Sequence, residues 1–466
     1  MTQATPTHEA ANPQNNHALT RWLQRCPVGL LLVLVGLLAV LLQLPLVFNP
    51  GYFSHDELQW AAWADVAGLS AMRWNDWLAF SDYQYRPLTF NLWRLLSYWC
   101  FDQPMVFHGV LVLWGSLNAS LLWLAARRFG LSVWPAMTGT LLFVASPYAM
   151  YVHGWVATMA DLLVMSFALS MLSQLCRTQR PLMALLLGAG FTAVALISKE
   201  SALSLPAVLG VIWLLGGRQK VWFMATWGAG LVALAYLALR LPVLLSQPEN
   251  THYGLSLWQM PWRWLEYHLY WISPHLTEPH TTLAKGLRGS TVVAASLVLG
   301  LFVILWLAHR RLFWAALLGG LALLAPVLPL AASAAQYGYL FAAGLVLLVA
   351  AAWRHCQRWG RVWIMLLSLL SVWHGVNTAL LLRDAGRIQA VFSPALAQAV
   401  AQHPADQALR LRLDEGAPRW LFIRLTSDVP SYRGVELGQR VQWAATDEAA
   451  DYVVQADGQI RAVNQP

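Results

Sequence analysis

The sequence predicts an all-α polytopic membrane protein with about eleven transmembrane helices, amphipathic helices on the outer membrane surface and a small α/β soluble domain at the C-terminus. Three observations lead there. Only 11% of the residues are charged, against about 25% in soluble domains, while 58% are hydrophobic. Uncharged runs close to the roughly 20 residues needed to cross about 30 Å of hydrocarbon recur between residues 28 and 382. Beyond residue 382 the composition becomes charged and polar.

Residues 1–27 are rich in Asn, Gln, His and Thr and read as a disordered cytoplasmic tail. The first apolar run, 28–47, is too long for the core of a signal peptide and lacks a small-x-small cleavage site, so it reads as a retained anchor. Further spans fall at 106–126, 131–150, 155–175, 182–198, 202–216, 221–243, 291–308, 312–331, 337–353 and 362–382. The basic residues Arg127 and Arg128, Arg177 and Arg180, Arg218 and Lys220, Arg310 and Arg311, and Arg354, Arg358 and Arg361 then share one side. The positive-inside rule makes that side cytoplasmic, which puts the N-terminus inside and residues 383–466 outside. The reading is a multi-pass protein of a bacterial inner membrane, with 28–382 as its membrane domain and 383–466 as a small periplasmic domain.

Two loops on the outer side are long. Residues 49–105 carry Trp60 and Trp63, Trp74 and Trp77, and Trp93. Aromatics three apart share a helix face, which predicts amphipathic helices lying on the membrane surface. Residues 244–290 contain Pro248, Pro261, Pro274 and Pro279, which break that loop into short pieces. The heavy load of 26 tryptophans suits membrane boundaries and asks for no further role. In the last domain, 420–425 and 452–453 read as strands.

The net charge of +8 is spread through short loops with no basic stripe, which excludes a nucleic-acid partner. The four cysteines are far apart in sequence, and three lie beside Arg-rich loops on the reducing side, so neither a structural disulfide nor a metal-thiolate site is expected.

The residues that could carry chemistry cluster at one level, the outer boundary. Ser54, His55, Asp56 and Glu57 follow the first span. The acids could serve as a general base and its partner or hold a cation, and the same stretch reads as a helix start, with Ser54 capping and Glu57 three residues on closing a capping box. Asp82, Tyr85 and Arg86 lie in a turn of the same loop, ahead of an amphipathic stretch. His153 and Asp161, eight residues apart, would share one face of the fourth span. Lys199 and Glu200 occupy the hairpin between spans five and six, and Arg240 ends span seven. Such charges in or near a bilayer usually face a cavity or a partner, although Lys199 and Glu200 also suit a solvated hairpin and Arg240 could snorkel. A lipid-linked sugar phosphate presents its head group at this level. A transferase working outside the cell, where nucleotide sugars are absent, needs a donor that arrives in the lipid.

This order of short motifs resembles the lipid-phosphate-dependent GT-C superfamily of membrane glycosyltransferases, and within it the protein O-mannosyltransferases and the tetratricopeptide-bearing O-mannosyltransferases. Asp56-Glu57 is similar to the acidic pair of their first outer loop, and Tyr85-Arg86-Pro87-Leu88 to their YRPL-type motif. The stretch from His153 through Asp161 to Leu163 resembles another of their segments, as do Ser198-Lys199-Glu200, Tyr236 through Arg240, and Tyr270 through Leu276. Where relatives often carry ERYLY.P, this chain has Ala335-Gln336-Tyr337-Gly338-Tyr339-Leu340 and lacks the charged pair. No 34-residue period marks a tetratricopeptide array, so acceptor recognition does not carry over.

The resemblance implies a GT-C fold over 28–382 and an inverting glycosyltransferase that moves a sugar from a polyprenyl-phosphate donor to a hydroxyl of a protein, lipopolysaccharide or other glycolipid acceptor. It implies Asp56 as catalytic base with Glu57 in support. Arg240 and Lys199, with Arg86 in reserve, would hold the phosphate, and His153, Asp161, Glu200, Asp82 and Tyr85 would form a supporting polar site. Carboxylates beside a phosphate also make a natural site for a hard divalent cation, with Asp56 and Glu57 as ligands, although relatives differ on this point. The competing class is a transporter or flippase for a lipid-linked glycan. It would leave a two-fold repeat and polar residues at the membrane midplane, and the sequence has neither. A purely structural envelope partner would leave Asp56, Asp161 and Arg240 without a reason to be embedded.

Overall fold

The computed structural model describes residues 26–67, 77, 80–82, 84–246, 254–273, 289–445 and 447–463. Trp74, Pro248, Pro274, Pro279, Leu276 and almost all of the N-terminal tail lie outside the described residues. Of the described residues 73% are helical, and a small sheet region lies at the C-terminal end.

A helix lies in every segment expected to span. Six helices among the described residues are long and apolar enough to cross a membrane: Pro104–Arg128, Val156–Leu175, Lys220–Leu245, Gly289–Ala308, Ala335–Ala352 and Arg358–Gln402. Val28–Leu42, Val133–Val144, Pro181–Leu196 and Glu200–Leu215 are apolar but shorter, and Arg310–Leu324 is also short. The chain is thus a membrane protein in which the six long helices meet the span length expected for about eleven.

One expected span, 131–150, divides into Val133–Val144 and Pro147–Gly154. Pro147 lacks an N–H and suits only the first turn of a helix, so it opens a new one, with the Ser146 hydroxyl accepting from the Ala149 N–H at 3.3 Å.

Small residues set the closest packing. Helices Pro181–Leu196 and Lys220–Leu245 lie backbone to backbone: a Cβ on Gly188 would sit 2.3 Å from the Ala225 carbonyl oxygen, and one on Gly228 would sit 2.1 Å from that of Leu185. In a bilayer, where lipid tails are as apolar as Leu, such close backbone approach replaces the hydrophobic drive.

Helix His55–Ala67 follows the first apolar helix, and Trp60 and Trp63 share its face with ring centroids 5.0 Å apart. The buried Trp60 also stacks on Trp93 of helix Pro87–Cys100, at 4.7 Å. In the second long loop, helix Met260–Tyr270 carries Pro261 in its first turn. Arg263 and Glu266 pair there at 2.6 Å, and Ser333 donates to Glu266 at the same distance. That cluster ties the loop to the segment before helix Ala335–Ala352.

The last of the long helices, Arg358–Gln402, runs 45 residues without a break, straight through the compositional change at residue 382. The region it leads into holds strands β1 Leu409–Leu413, β2 Ser431–Tyr432, β3 Val435–Glu436, β4 Val441–Trp443, β5 Tyr452–Val454 and β6 Ile460–Ala462. Four form a mixed sheet of order β4-β1-β5-β6, in which β1 runs parallel to β4 and β5, and β6 runs antiparallel to β5. β2 and β3 form a hairpin turned by Arg433 and Gly434, both with positive φ, as a two-residue turn of primed type requires.

Residues 420–425, expected as a strand, are helix Arg419–Thr426. Leu421, Phe422 and Leu425 are buried at helical spacing, and Pro418 stands just before the first turn. The expected strand at 452–453 is β5. Phe392 of the long helix packs on Phe422 at 4.9 Å, so the C-terminal region is built against the helix that carries it.

Candidate functional site

Helix His55–Ala67 begins with the capping box its sequence encodes. The Ser54 hydroxyl accepts from the Asp56 N–H at 3.4 Å and donates to the Asp56 carboxylate at 2.8 Å. Glu57 Oε2 accepts from the backbone N–H groups of Phe53 and Ser54, each at 2.9 Å. Its Oε1 accepts from the Val156 N–H at 3.1 Å, which pins the loop to the turn Val156–Thr158.

This fixes different fates for the two acids. Glu57 is buried with both oxygens engaged by backbone, and burial pushes its pKa up to about 7 although the three N–H groups pull it down. Glu57 is therefore the anchor of the loop and not a reacting partner for Asp56. The expected cation site of Asp56 and Glu57 does not fit either, since Glu57 has turned away. No group of three or more His, Cys, Asp or Glu residues suited to a metal ion occurs among the described residues.

Asp56 opens onto a cavity of about 300 Å³. The walls include His55, Arg86, Asp161, Lys199, Gln336, Tyr337 and Arg424, with Trp60, Trp93 and Trp155 as aromatic faces. The Asp56 side chain is about one-third exposed, at 34%, so it is reachable. Its carboxylate stands 3.6 Å from His55 Nε2 and 3.9 Å from Arg424 Nη2.

Two motifs separated by more than a hundred residues meet beside it. The Leu88 N–H donates to the Ile197 carbonyl at 3.2 Å, and the Thr89 hydroxyl donates to the Ser198 carbonyl at 2.8 Å. These bonds set the Arg86 turn against the Lys199-Glu200 hairpin. Arg86 donates through Nε and Nη2 to Glu200 Oε2, at 2.9 and 2.8 Å. Lys199 is buried, donates to Asp161 at 2.6 Å and lies 5.0 Å from the centre of the Tyr337 ring. The hairpin is therefore not a solvated one. Glu200 does not line the cavity and acts on it by holding Arg86.

Other expected members lie elsewhere. His153 and Asp161 sit on different helices, because the chain is extended at Trp155, with φ −111° and ψ 116°, and restarts in a 3₁₀ turn. The His153 ring is fully buried, with Gln43 Oε1 and the Tyr339 hydroxyl each 2.7 Å from its nitrogens. It is a knot between helices, outside the cavity lining. Arg240, expected on the phosphate, is fully buried too and does not snorkel. It donates to the Phe80 carbonyl and lies 5.6 Å from the centre of the Tyr85 ring, which braces the loop behind the cavity. The Tyr85 hydroxyl donates to the Trp77 carbonyl at 2.6 Å, and Asp82 is exposed in the turn.

Gln336, Tyr337 and Arg424 line the cavity although the sequence reading did not place them among the site residues. Gln336 stands at one of the two positions, Ala335 and Gln336, where the charged pair of the resembled motif is missing. Arg424 comes from helix Arg419–Thr426, and the signal that could have revealed it is Pro418 ahead of a helically spaced apolar set. A second cavity, of about 770 Å³, is larger but apolar and holds none of the expected site residues.

No model of a known protein family matches this chain, and no curated protein sequence matches it.

Proposed function

We propose that this protein is an inverting membrane glycosyltransferase that takes its sugar from a polyprenyl-phosphate donor. One observation carries the reading: a reachable carboxylate, Asp56, shares a small aromatic-walled cavity with Arg86 and Lys199, at the start of a loop helix directly beyond the first apolar helix. A base and cations so disposed suit attack by a hydroxyl on an anomeric carbon with departure of a phosphate.

In this reading Asp56 takes the proton of the acceptor hydroxyl as its oxygen bonds to the anomeric carbon. The bond from that carbon to the phosphate oxygen breaks, and the lipid phosphate leaves with the electron pair. Lys199 and Arg86, held by Asp161 and Glu200, stabilise the charge gained by the leaving group. A single in-line displacement inverts the anomeric centre. The acceptor is a protein or glycolipid hydroxyl. The finer architecture belongs to the same proposal: about eleven spans in a GT-C arrangement in a bacterial inner membrane, with the N-terminus cytoplasmic and the cavity on the periplasmic side. It is supported by the resemblance and by the placing of Lys and Arg along the chain.

Asp56→Asn is the decisive variant, because Asn keeps the size and an oxygen that can accept from the Ser54 hydroxyl but is no base. With purified protein and a polyprenyl-phosphate sugar, transfer should fall by roughly 10²–10⁴-fold while folding is kept. Ser54→Ala should cost only about 0.5–2 kcal/mol of local stability. Near wild-type transfer by Asp56→Asn would refute the assignment.

A further inference from the structure

Three cations line the 300 Å³ cavity, and their engagements differ. Arg86 is held by Glu200 through two donors to one oxygen, and Lys199 by Asp161 at 2.6 Å. Among the described residues, the one acid that pairs with Arg424 is Asp56, at the looser distance of 3.9 Å. Its guanidinium stands 4.8 Å from the centre of the Phe53 ring and 5.2 Å from that of Trp155. The Arg424 Nε is buried and has no hydrogen-bond partner among the described residues. A guanidinium steadied by two rings, with a buried donor unspent, is ready to accept a planar or tetrahedral anion.

The position of Arg424 is fixed from outside the bundle. Its helix Arg419–Thr426 packs beside helix His55–Ala67, with Trp420 6.3 Å from Phe53. The Gln59 amide donates to the Asp428 carbonyl at 2.9 Å, and Arg433 pairs with Asp102 at 3.2 Å. The C-terminal region thus delivers one residue into the cavity and holds it there through contacts with the first long loop.

We propose that Arg424 is a phosphate-binding residue, so that the C-terminal region supplies a wall of the donor site. This rests on the transferase reading for the identity of the ligand as a lipid phosphate. It does not need sugar transfer to be tested. The same placement predicts competition: the Asp56 carboxylate and the phosphate are rivals for one guanidinium, so removal of the acid should free the arginine.

The test is binding of farnesyl phosphate, a soluble lipid phosphate without sugar, to the full-length protein in detergent by calorimetry. Arg424→Gln should weaken binding roughly tenfold to hundredfold, as expected for lost charge-assisted hydrogen bonds. Arg424→Lys should fall between the two, and Arg461→Gln, at an exposed strand position, should match wild type. Asp56→Asn should bind farnesyl phosphate as tightly as wild type or tighter. Wild-type affinity in Arg424→Gln would overturn the proposal. Should that variant not fold, wild-type affinity in Arg424→Lys would do the same, because Lys keeps the charge but loses the guanidinium fork. Weaker binding in Asp56→Asn would also overturn it. Equal affinity for inorganic phosphate would overturn the lipid assignment and give the site to a free anion. The two readings fail separately. Arg424-dependent binding without sugar transfer would refute only the transferase, whereas Asp56-dependent transfer with unchanged binding in Arg424→Gln would refute only this inference.

Discussion

The ammonium of Lys199 and the carboxylate of Asp161 meet at 2.6 Å, both buried, across 38 residues of chain. Breaking such a pair from one side strands the other charge, at about 3–5 kcal/mol, whereas replacing both partners by apolar groups is often neutral. Asp161→Asn should therefore lower the unfolding free energy in detergent by about that amount, and Asp161→Leu combined with Lys199→Met should recover most of it. A double variant that has lost at least as much as Asp161→Asn would refute the stranded-charge account, and losses that simply add would show that the pair is not coupled.

Glu57 gives the fold a pH dependence of known sign. Its pKa rises from 4.5 to about 7 on folding, mainly through burial. Between those values the folded chain holds a proton that the unfolded chain has released, so stability falls as pH rises through this window. The contribution is complete below pH 4.5 and gone above about 7. Thermal unfolding followed against pH should show this slope, and Glu57→Gln should remove it.

Gly115 makes room for the His153 knot. A Cβ there would fall 2.3 Å from the imidazole Cε1, and the ring cannot retreat without losing Gln43 or Tyr339. Gly115→Ala should destabilise the protein by about 1–3 kcal/mol, the usual cost of overpacking. Gly109→Ala on the same helix, where the nearest side-chain atom would be 4.0 Å away, should show no such crowding in the same denaturation assay.

Topology can be read with fusions. Alkaline phosphatase placed after Gln402, at the end of helix Arg358–Gln402, should be active, and after Lys220 it should be inactive. Activity at the second point would reverse the orientation and put the Asp56 cavity in the cytoplasm, where nucleotide sugars would compete as donors.

Apolar run length was enough to find the helices, because burial in lipid is written into consecutive residues. The breaks at Pro147 and Trp155 were harder to see, since a kinked pair and one straight helix share the same hydropathy. The meeting of Arg86, Asp161 and Lys199 was anticipated from their common depth. Depth says nothing of azimuth, which is why Arg240 and His153, placed at the same level, point into protein instead of the cavity. The capping box was legible within four residues, whereas the fate of Glu57 depended on Val156, about a hundred residues away. Arg424 was the least legible of all, because only tertiary docking of the C-terminal region brings it near Asp56.

The 45-residue helix Arg358–Gln402 gives the molecule a phase relation between bundle and C-terminal region. A flexible linker would tolerate added residues, since its cost grows only slowly with length. A continuous helix turns by about 100° per residue, so inserting two residues after Arg387 would swing everything beyond by roughly 200° and lift it by about 3 Å. Arg424 would then face away from the cavity, although every residue of both parts was unchanged. Evolution of this chain is accordingly constrained in length at a stretch where composition alone marks only a boundary.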